Sequence, residues 1–203
     1  MFYYLLKNPS TYETLQKEID GMDAQRELSP RISFAESNKM PYLLAVCKEA
    51  MRLHPSVGLG LPRYVPEGGR EICGRFFPEG VSGTVFAEIL MLTTEQTRVA
   101  INAWVVHLDE GIFGRDPKAF RPERWFEGDP KIMDRYMFQF GSGSRTCTGK
   151  NIAILQLQKV VPEILRHFDI TLSEPAKSWK TVNNFFVRQE GLNVMLKERT
   201  YKA

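Results

Sequence analysis

Apolar residues fall at helical spacing in three stretches of this chain. Over residues 2 to 20, Leu5, Leu6, Tyr12, Leu15 and Ile19 give a broken amphipathic pattern, with Asn8-Pro9-Ser10 as a cap before a second helix. Leu43, Val46, Cys47, Ala50 and Leu53 recur at i, i+3, i+4, i+7 and i+10, one buried stripe on a helix whose first turn accepts Pro41. Ala153, Leu157, Val160, Val161, Ile164, Leu165 and Phe168 mark a third helix beginning just after Gly149. Pro162 must kink that helix or remove one of its hydrogen bonds.

Between these stretches the pattern shortens. Ser56 to Gly80 is rich in Gly and Pro, with runs such as Arg63-Tyr64-Val65 and Glu71-Ile72-Cys73, which predicts small strands and turns with Cys73 as a small strand residue. Ile101 to Val106 reads as a strand entering a helix, Asp116 to Trp125 as proline-punctuated turns, and 126 to 139 as an irregular connection. Ile170-Thr171-Leu172 and Gly191 to Leu196 predict a closing hairpin. The fold class expected is mainly α with small β-sheets, an α+β arrangement.

Composition narrows this only a little. With 203 residues, 43% hydrophobic and 25% charged, the chain can bury the core of one domain and is not disordered. A net charge of +3 is too small to argue for nucleic acid, and no nucleic-acid motif is present. Cys47, Cys73 and Cys147 are odd in number and lack C-x-x-C spacing, which argues against a disulfide framework or a zinc site and for a reducing compartment. The opening Met1 to Leu6 run stops at Lys7 and Asn8, too short for a membrane span and without signal-peptide form. His107 stands alone, so a hydrogen-bonded structural role is expected of it.

The chemistry concentrates in Phe140-Gly141-Ser142-Gly143-Ser144-Arg145-Thr146-Cys147-Thr148-Gly149, which reads F-x-x-G-x-R-x-C-x-G. Each fixed position has a task if the loop presents sulfur to a flat iron cofactor. A thiolate is a strongly electron-donating axial ligand that favours O–O cleavage. Gly143 and Gly149 let backbone approach a porphyrin or take positive φ. Loop amides can tune the sulfur as outer-sphere partners. Arg145 offers a forked donor to a carboxylate such as a propionate, and Phe140 covers the sulfur side. The following helix points its N-terminal dipole at Cys147, which favours a thiolate there.

This loop resembles the heme-ligand signature of the cytochrome P-450 monooxygenases. Other segments are similar to the family in the family's own order. Leu5-Leu6-Lys7-Asn8-Pro9 to Ile19 resembles the helix that follows the oxygen-activating helix. Glu49-Ala50-Met51-Arg52-Leu53-His54-Pro55 matches its E-x-x-R helix, and Pro122-Glu123-Arg124-Trp125 the segment whose arginine joins that pair. By themselves Glu49 and Arg52, three apart, read as a solvated surface bridge. The resemblance instead implies a buried charge triad of Glu49, Arg52 and Arg124.

The family further implies heme b (iron protoporphyrin) bound by Phe140, Gly141, Gly143, Arg145, Cys147 and Gly149. Cys147 is then the axial iron ligand and the catalytic residue, and Arg63 reaches a propionate, against the plainer reading of an exposed strand arginine. Val57 to Leu61 would line a substrate pocket, and Phe185-Phe186 would either reach it or pack in the core. The implied reaction inserts one oxygen atom of O2 into a small organic substrate, with electrons from NADPH through a flavoprotein NADPH-cytochrome reductase. The intact family sits at the cytosolic face of the endoplasmic reticulum membrane, and this chain is expected to carry no anchor. Lys48, Arg145 and Lys150 offer a basic face for an acidic reductase, for which a solvated charge face is the simpler account.

The departures from the family pattern shape the alternatives. An A-G-x-x-T-type segment is missing, so 1–203 reads as a partial domain, the C-terminal portion of a fungal-type member. The alternative is a non-catalytic remnant that binds heme weakly or not at all. A cysteine-nucleophile enzyme is weaker still, since no histidine is placed by sequence to activate Cys147. Residues 81–96 interrupt the resemblance, and removing them joins Pro78-Glu79-Gly80 to Thr97-Arg98-Val99 as in the family. Val81-Ser82 can be encoded by GTAAGT, Leu92-Thr93 can contain CTAAC and Gln96 can be CAG, in frame and in order. The segment is expected to be a translated intron, or else a surface insertion of the kind loops tolerate.

Overall fold

The computed structural model of the chain describes residues 1–79 and 98–200. The proposed insertion at 81–96 therefore lies outside the described residues. In chain order the elements are α1 Phe2–Lys7, α2 Pro9–Ala24, α3 Phe34–Ser37 and α4 Pro41–Leu53, followed by β1 Arg63–Tyr64, β2 Arg70–Ile72, β3 Arg75–Phe77 and β4 Arg98–Val99. Then come α5 Ala103–Val106, α6 Glu110–Phe113, α7 Arg124–Glu127, α8 Pro130–Arg135, a 3-10 turn at Gly143–Arg145, and α9 Lys150–His167. The tail holds β5 Phe168–Leu172, β6 Lys180–Asn184, β7 Phe186–Glu190 and β8 Val194–Glu198. Helices with small two-stranded sheets give the α+β class.

The core forms where the three predicted stripes meet. Leu15 and Ile19 of α2, Leu43, Val46, Cys47, Ala50 and Leu53 of α4, and Val161 and Leu165 of α9 are all buried in one cluster. Burying a leucine or isoleucine contributes on the order of 1.5–3 kcal/mol, so this cluster sets the relative placement of the three long helices. A smaller cluster of Ala45, Phe113, Trp125 and Met133 packs on the other side of α4.

Helix ends are fastened from a distance. Asn8, expected to cap α2, does not do so with its side chain; its Nδ2 instead donates to the Tyr4 carbonyl at 2.7 Å and closes α1. The start of α4 has only Met40 at its N-cap, and Glu18 of α2 fills the need by accepting from the amides of Tyr42 and Leu43, each at 2.8 Å. That satisfies two orphan donors and places a carboxylate at the positive helix end. Burial pushes the Glu18 carboxyl above its ordinary value, more than the two amides pull it down. At α3, Ser33 and Glu36 form a reciprocal capping box, and with the Ser29 hydroxyl these bonds bring Glu36 down to about 2.

Three sequence readings are corrected. Residues 126–139 are not irregular throughout: α8 forms there because Asp129 accepts from the amides of Lys131 and Ile132 ahead of Pro130, and Met133 is buried. Cys73 is not a strand residue but occupies the turn joining β2 to β3, with φ of 53° followed by Gly74 at 72°. The tail strands do pair, β5 with β8, but a second hairpin of β6 and β7 is nested between them. Pro162 sits inside an unbroken α9, buried against the core.

Candidate functional site: a buried charge lock and an exposed cysteine loop

Glu49 and Arg52 lie on the α4 face that meets the segment from α5 to α7. Glu49 is 0% exposed, Arg52 1% and Arg124 2%. Arg52 donates through Nη2 to Glu49 Oε1 at 2.7 Å and through Nε to Oε2 at 2.9 Å, the forked geometry that suits guanidinium to carboxylate. Arg124 Nε reaches Oε1 at 2.8 Å, the Arg121 amide reaches the same atom at 3.1 Å, and Trp125 Nε1 donates to Oε2 at 3.1 Å.

The remaining guanidinium hydrogens are spent on backbone. Arg52 Nη1 donates to the carbonyls of His107 at 2.6 Å and Pro117 at 2.7 Å, and Nη2 to that of Ala119 at 3.2 Å. Arg124 bonds the carbonyls of Phe113, Asp116 and Ala119. Its second charge partner is Asp116 at 3.2 Å, so two arginines face two carboxylates. Desolvation raises the Asp116 carboxyl, but the Arg121 hydrogen bond and the charges of Arg124 and Arg121 carry it below its ordinary value. The sequence reading named the triad and missed Asp116, the Trp125 indole and the carbonyls. Asp116-Pro117 beside the P-E-R-W motif was the available signal.

His107 is fully buried and bonded at both ring nitrogens. Nδ1 lies 2.8 Å from the Arg52 carbonyl, and Nε2 accepts from the Phe138 amide at 2.8 Å. Burial pushes the imidazole down to about 4; the Arg52 carbonyl opposes this and the Arg52 charge adds to it. Such a ring is neutral near pH 7.

From Phe138 the chain enters the cysteine loop. Gly141 and Gly143 both have φ of 70°, where an L side chain is strained. The Gly141 amide donates to the Phe138 carbonyl at 2.9 Å, and the Cys147 amide to the Phe140 carbonyl at 2.8 Å, closing the loop. Of the two glycines expected to approach a porphyrin or take positive φ, Gly143 has the positive φ, whereas Gly149 holds φ of −83° as the N-cap of α9. A Cβ there would lie 3.8 Å from Cys147 Sγ, ordinary contact. Cys147 is exposed, a free thiol at the foot of α9.

Beside this loop opens an apolar cleft of about 550 Å³, bordered by Met51 and His54 of the α4 end, Gln139 and Phe140 of the loop approach, and Ala153 and Leu157 of α9. The structure brings Phe140 to this cleft and leaves Arg145 and Arg63 exposed, the latter in β1 with its Nη1 on the Pro62 carbonyl at 3.0 Å. Of the expected substrate-lining stretch, Val57 and Gly58 pair with the tail at Phe186 and Phe185, while Leu59 and Leu61 are exposed. Phe185 and Phe186 are themselves exposed, so they are not core residues. Lys48 is engaged, with Asp134 at 2.8 Å and its ammonium over the Trp125 ring.

Among the described residues no cluster of three or more His, Cys, Asp or Glu is placed to hold a metal ion. An exposed thiol on a loop whose Phe140 borders an apolar cleft suits an iron whose other ligands come with a macrocycle, so the residues present fit heme. No helix among the described residues is long and apolar enough to cross a membrane.

To the buried E-x-x-R lock and the cysteine-bearing loop, comparison with known proteins adds the family. The cytochrome P-450 profile matches residues 1–196, and the chain belongs to that family. It is 43% identical over 199 residues to a pisatin demethylase of Fusarium vanettenii, an alignment covering 98% of this chain and 35% of that protein. It is 42% identical over 200 residues to the cytochrome P-450 monooxygenase gsfF of Penicillium aethiopicum, covering 98% and 36%. With the monooxygenase ACRTS1 of Alternaria alternata it shares 37% over 202 residues, covering 98% and 49%. The chain is thus of fungal type and spans about a third to a half of the length of these relatives. Membership implies heme as the family's cofactor.

Proposed function

We propose that this chain carries the heme-binding part of a monooxygenase, with Cys147 as the axial ligand of a b-type heme. The observation that supports it most is the pairing of family membership over residues 1–196 with an exposed thiol whose own amide is tied back to Phe140 at the foot of α9. Bound heme would supply activation of O2 for insertion of one oxygen atom into a small organic substrate.

The chain's own residues do the rest. Phe140 and the α9 residues Ala153 and Leu157 would form part of the apolar wall against which heme would lie. Arg145 and Arg63, both exposed, would hold the propionates of bound heme. Gly141 and Gly143, with positive φ, would let the backbone approach the porphyrin. Electrons arrive from a flavoprotein NADPH-cytochrome reductase, and the intact protein works at the cytosolic face of the endoplasmic reticulum membrane.

A reduced carbon monoxide difference spectrum tests the ligand. The heme-loaded protein should give the thiolate-type Soret band, and Cys147→Ala should lose it. A spectrum unchanged by Cys147→Ala would overturn the assignment. Residues 81–96 we hold to be a translated intron; spliced transcript carrying those sixteen codons throughout would refute this.

A further inference from the structure

We propose that His107 is the positioning residue that ties the cysteine loop to the charge lock, through a single neutral tautomer of its ring. The consequence for the sulfur rests on the heme-thiolate reading above; the clamp itself does not.

The tautomer follows from the partners. A backbone amide can only donate, so the Phe138 N–H at 2.8 Å requires a lone pair on Nε2. The ring proton therefore sits on Nδ1, where it donates to the Arg52 carbonyl at 2.8 Å. That carbonyl is in the last turn of α4 and is without an acceptor role inside the helix, so His107 satisfies an orphan group of the helix end. Arg52 returns the contact by donating from Nη1 to the His107 carbonyl at 2.6 Å. Residue 107 is thus held twice by Arg52, which is held by Glu49.

On the other side the clamp acts at the root of the loop. Phe138 gives its amide to His107 and its carbonyl to the Gly141 amide at 2.9 Å, and two residues on, the Phe140 carbonyl receives the Cys147 amide at 2.8 Å. A series of hydrogen bonds therefore runs from Glu49 through Arg52 and His107 to Phe138 and Gly141, and the covalent chain from there leads to the Phe140 carbonyl that receives the Cys147 amide. The ring reads out one protonation state only. A second proton would put a donor on Nε2 against the Phe138 N–H and leave both groups buried and opposed.

Two measurements on the 203-residue chain test the clamp. With 15N-labelled histidine, the three histidines give three ring signatures. One, assigned by its absence in His107→Gln, should be the neutral Nδ1–H form and stay so below pH 5; an Nε2–H form, or protonation in the ordinary histidine range, overturns the proposal. The second measurement compares His107→Phe, which keeps ring volume without hydrogen bonds, with His107→Gln, which keeps one donor and one acceptor. Hydrogen exchange at the Phe138 amide should rise on the order of tenfold in the first and stay near wild type in the second.

Equal exchange in all three proteins overturns the clamp. If His107→Phe does not fold, the wild-type tautomer decides. With heme loaded, His107→Phe should lose part of the thiolate-type Soret band and His107→Gln should keep it; an unchanged band in His107→Phe overturns the link to the sulfur. If wild type lacks that band altogether, the heme-thiolate reading fails while tautomer and exchange still report on the clamp.

Discussion

The charge lock and the cysteine loop lie at opposite ends of a scale of self-sufficiency. The Glu49, Arg52 and Arg124 side chains of the lock are buried, and each has several partners: Glu49 alone receives five hydrogen bonds. The loop is exposed, closed by backbone bonds, and its thiol is free. Buried ions that lose one partner are stranded at high energy, whereas exposed side chains are solvated either way. The difference teaches that the stability of this chain is concentrated in the frame, while the thiol of the loop contributes little to it.

Breaking the lock should have the largest effect. Glu49→Ala leaves the Arg52 and Arg124 guanidinium groups buried against each other with only Asp116 opposite. Urea unfolding should show a loss of roughly 3–5 kcal/mol, a large share of the about 5–15 kcal/mol typical of a domain. Leu43→Ala, in the core but away from charge, should cost about 2–5 kcal/mol by cavity formation. A smaller loss for Glu49→Ala than for Leu43→Ala would mean the lock is less dry than its geometry.

Acid should weaken the connection between the two regions. The His107 pKa is about 4 in the folded chain against 6.5 for an ordinary histidine, so folding favours the neutral ring. Its contribution is fully present above pH 6.5 and is lost as pH falls from 6.5 through 4. The charged group that acts on the ring is Arg52, which opposes protonation; Arg52 is itself paired with Glu49, and Glu49 with Arg124. The full difference corresponds to about 3 kcal/mol, and His107→Gln should flatten the stability profile over that window. A profile unchanged by His107→Gln would separate lock from loop.

Much of the frame was legible in the sequence because its signals are local. The stripe on α4 and the run through α9 are periodic, and burial follows period. The triad was legible only through resemblance, since Glu49 and Arg52 three apart look like a surface pair until residues from 107 to 125 are folded over them. What escaped depends on long-range backbone groups. Nothing near Glu18 indicates that it caps α4, and nothing near His107 indicates that its partners are the Arg52 carbonyl and the Phe138 amide. Asp129-Pro130 was a legible helix start that the mixed composition of 126–139 hid. At the loop, spacing pointed to Cys147, and the structure adds that the positive-φ positions are Gly141 and Gly143, while Gly149 serves as an N-cap.

The smallest effects should come from the loop. Gly143 has open space around a Cβ, so Gly143→Ala should cost only the strain of positive φ, about 1–2 kcal/mol, read from the urea midpoint.

Cys147→Ala should change the stability of the heme-free chain by less than about 0.5 kcal/mol, because the side chain is exposed and the loop-closing bond belongs to the Cys147 backbone amide. With heme present the two proteins should separate, since a ligand that binds only the folded state raises wild-type stability with its concentration and the variant gains less. Thermal midpoints taken across a heme titration measure both halves at once. A heme-free variant that melts well below wild type would show the sulfur to be part of the packed frame, and the contrast between lock and loop would disappear.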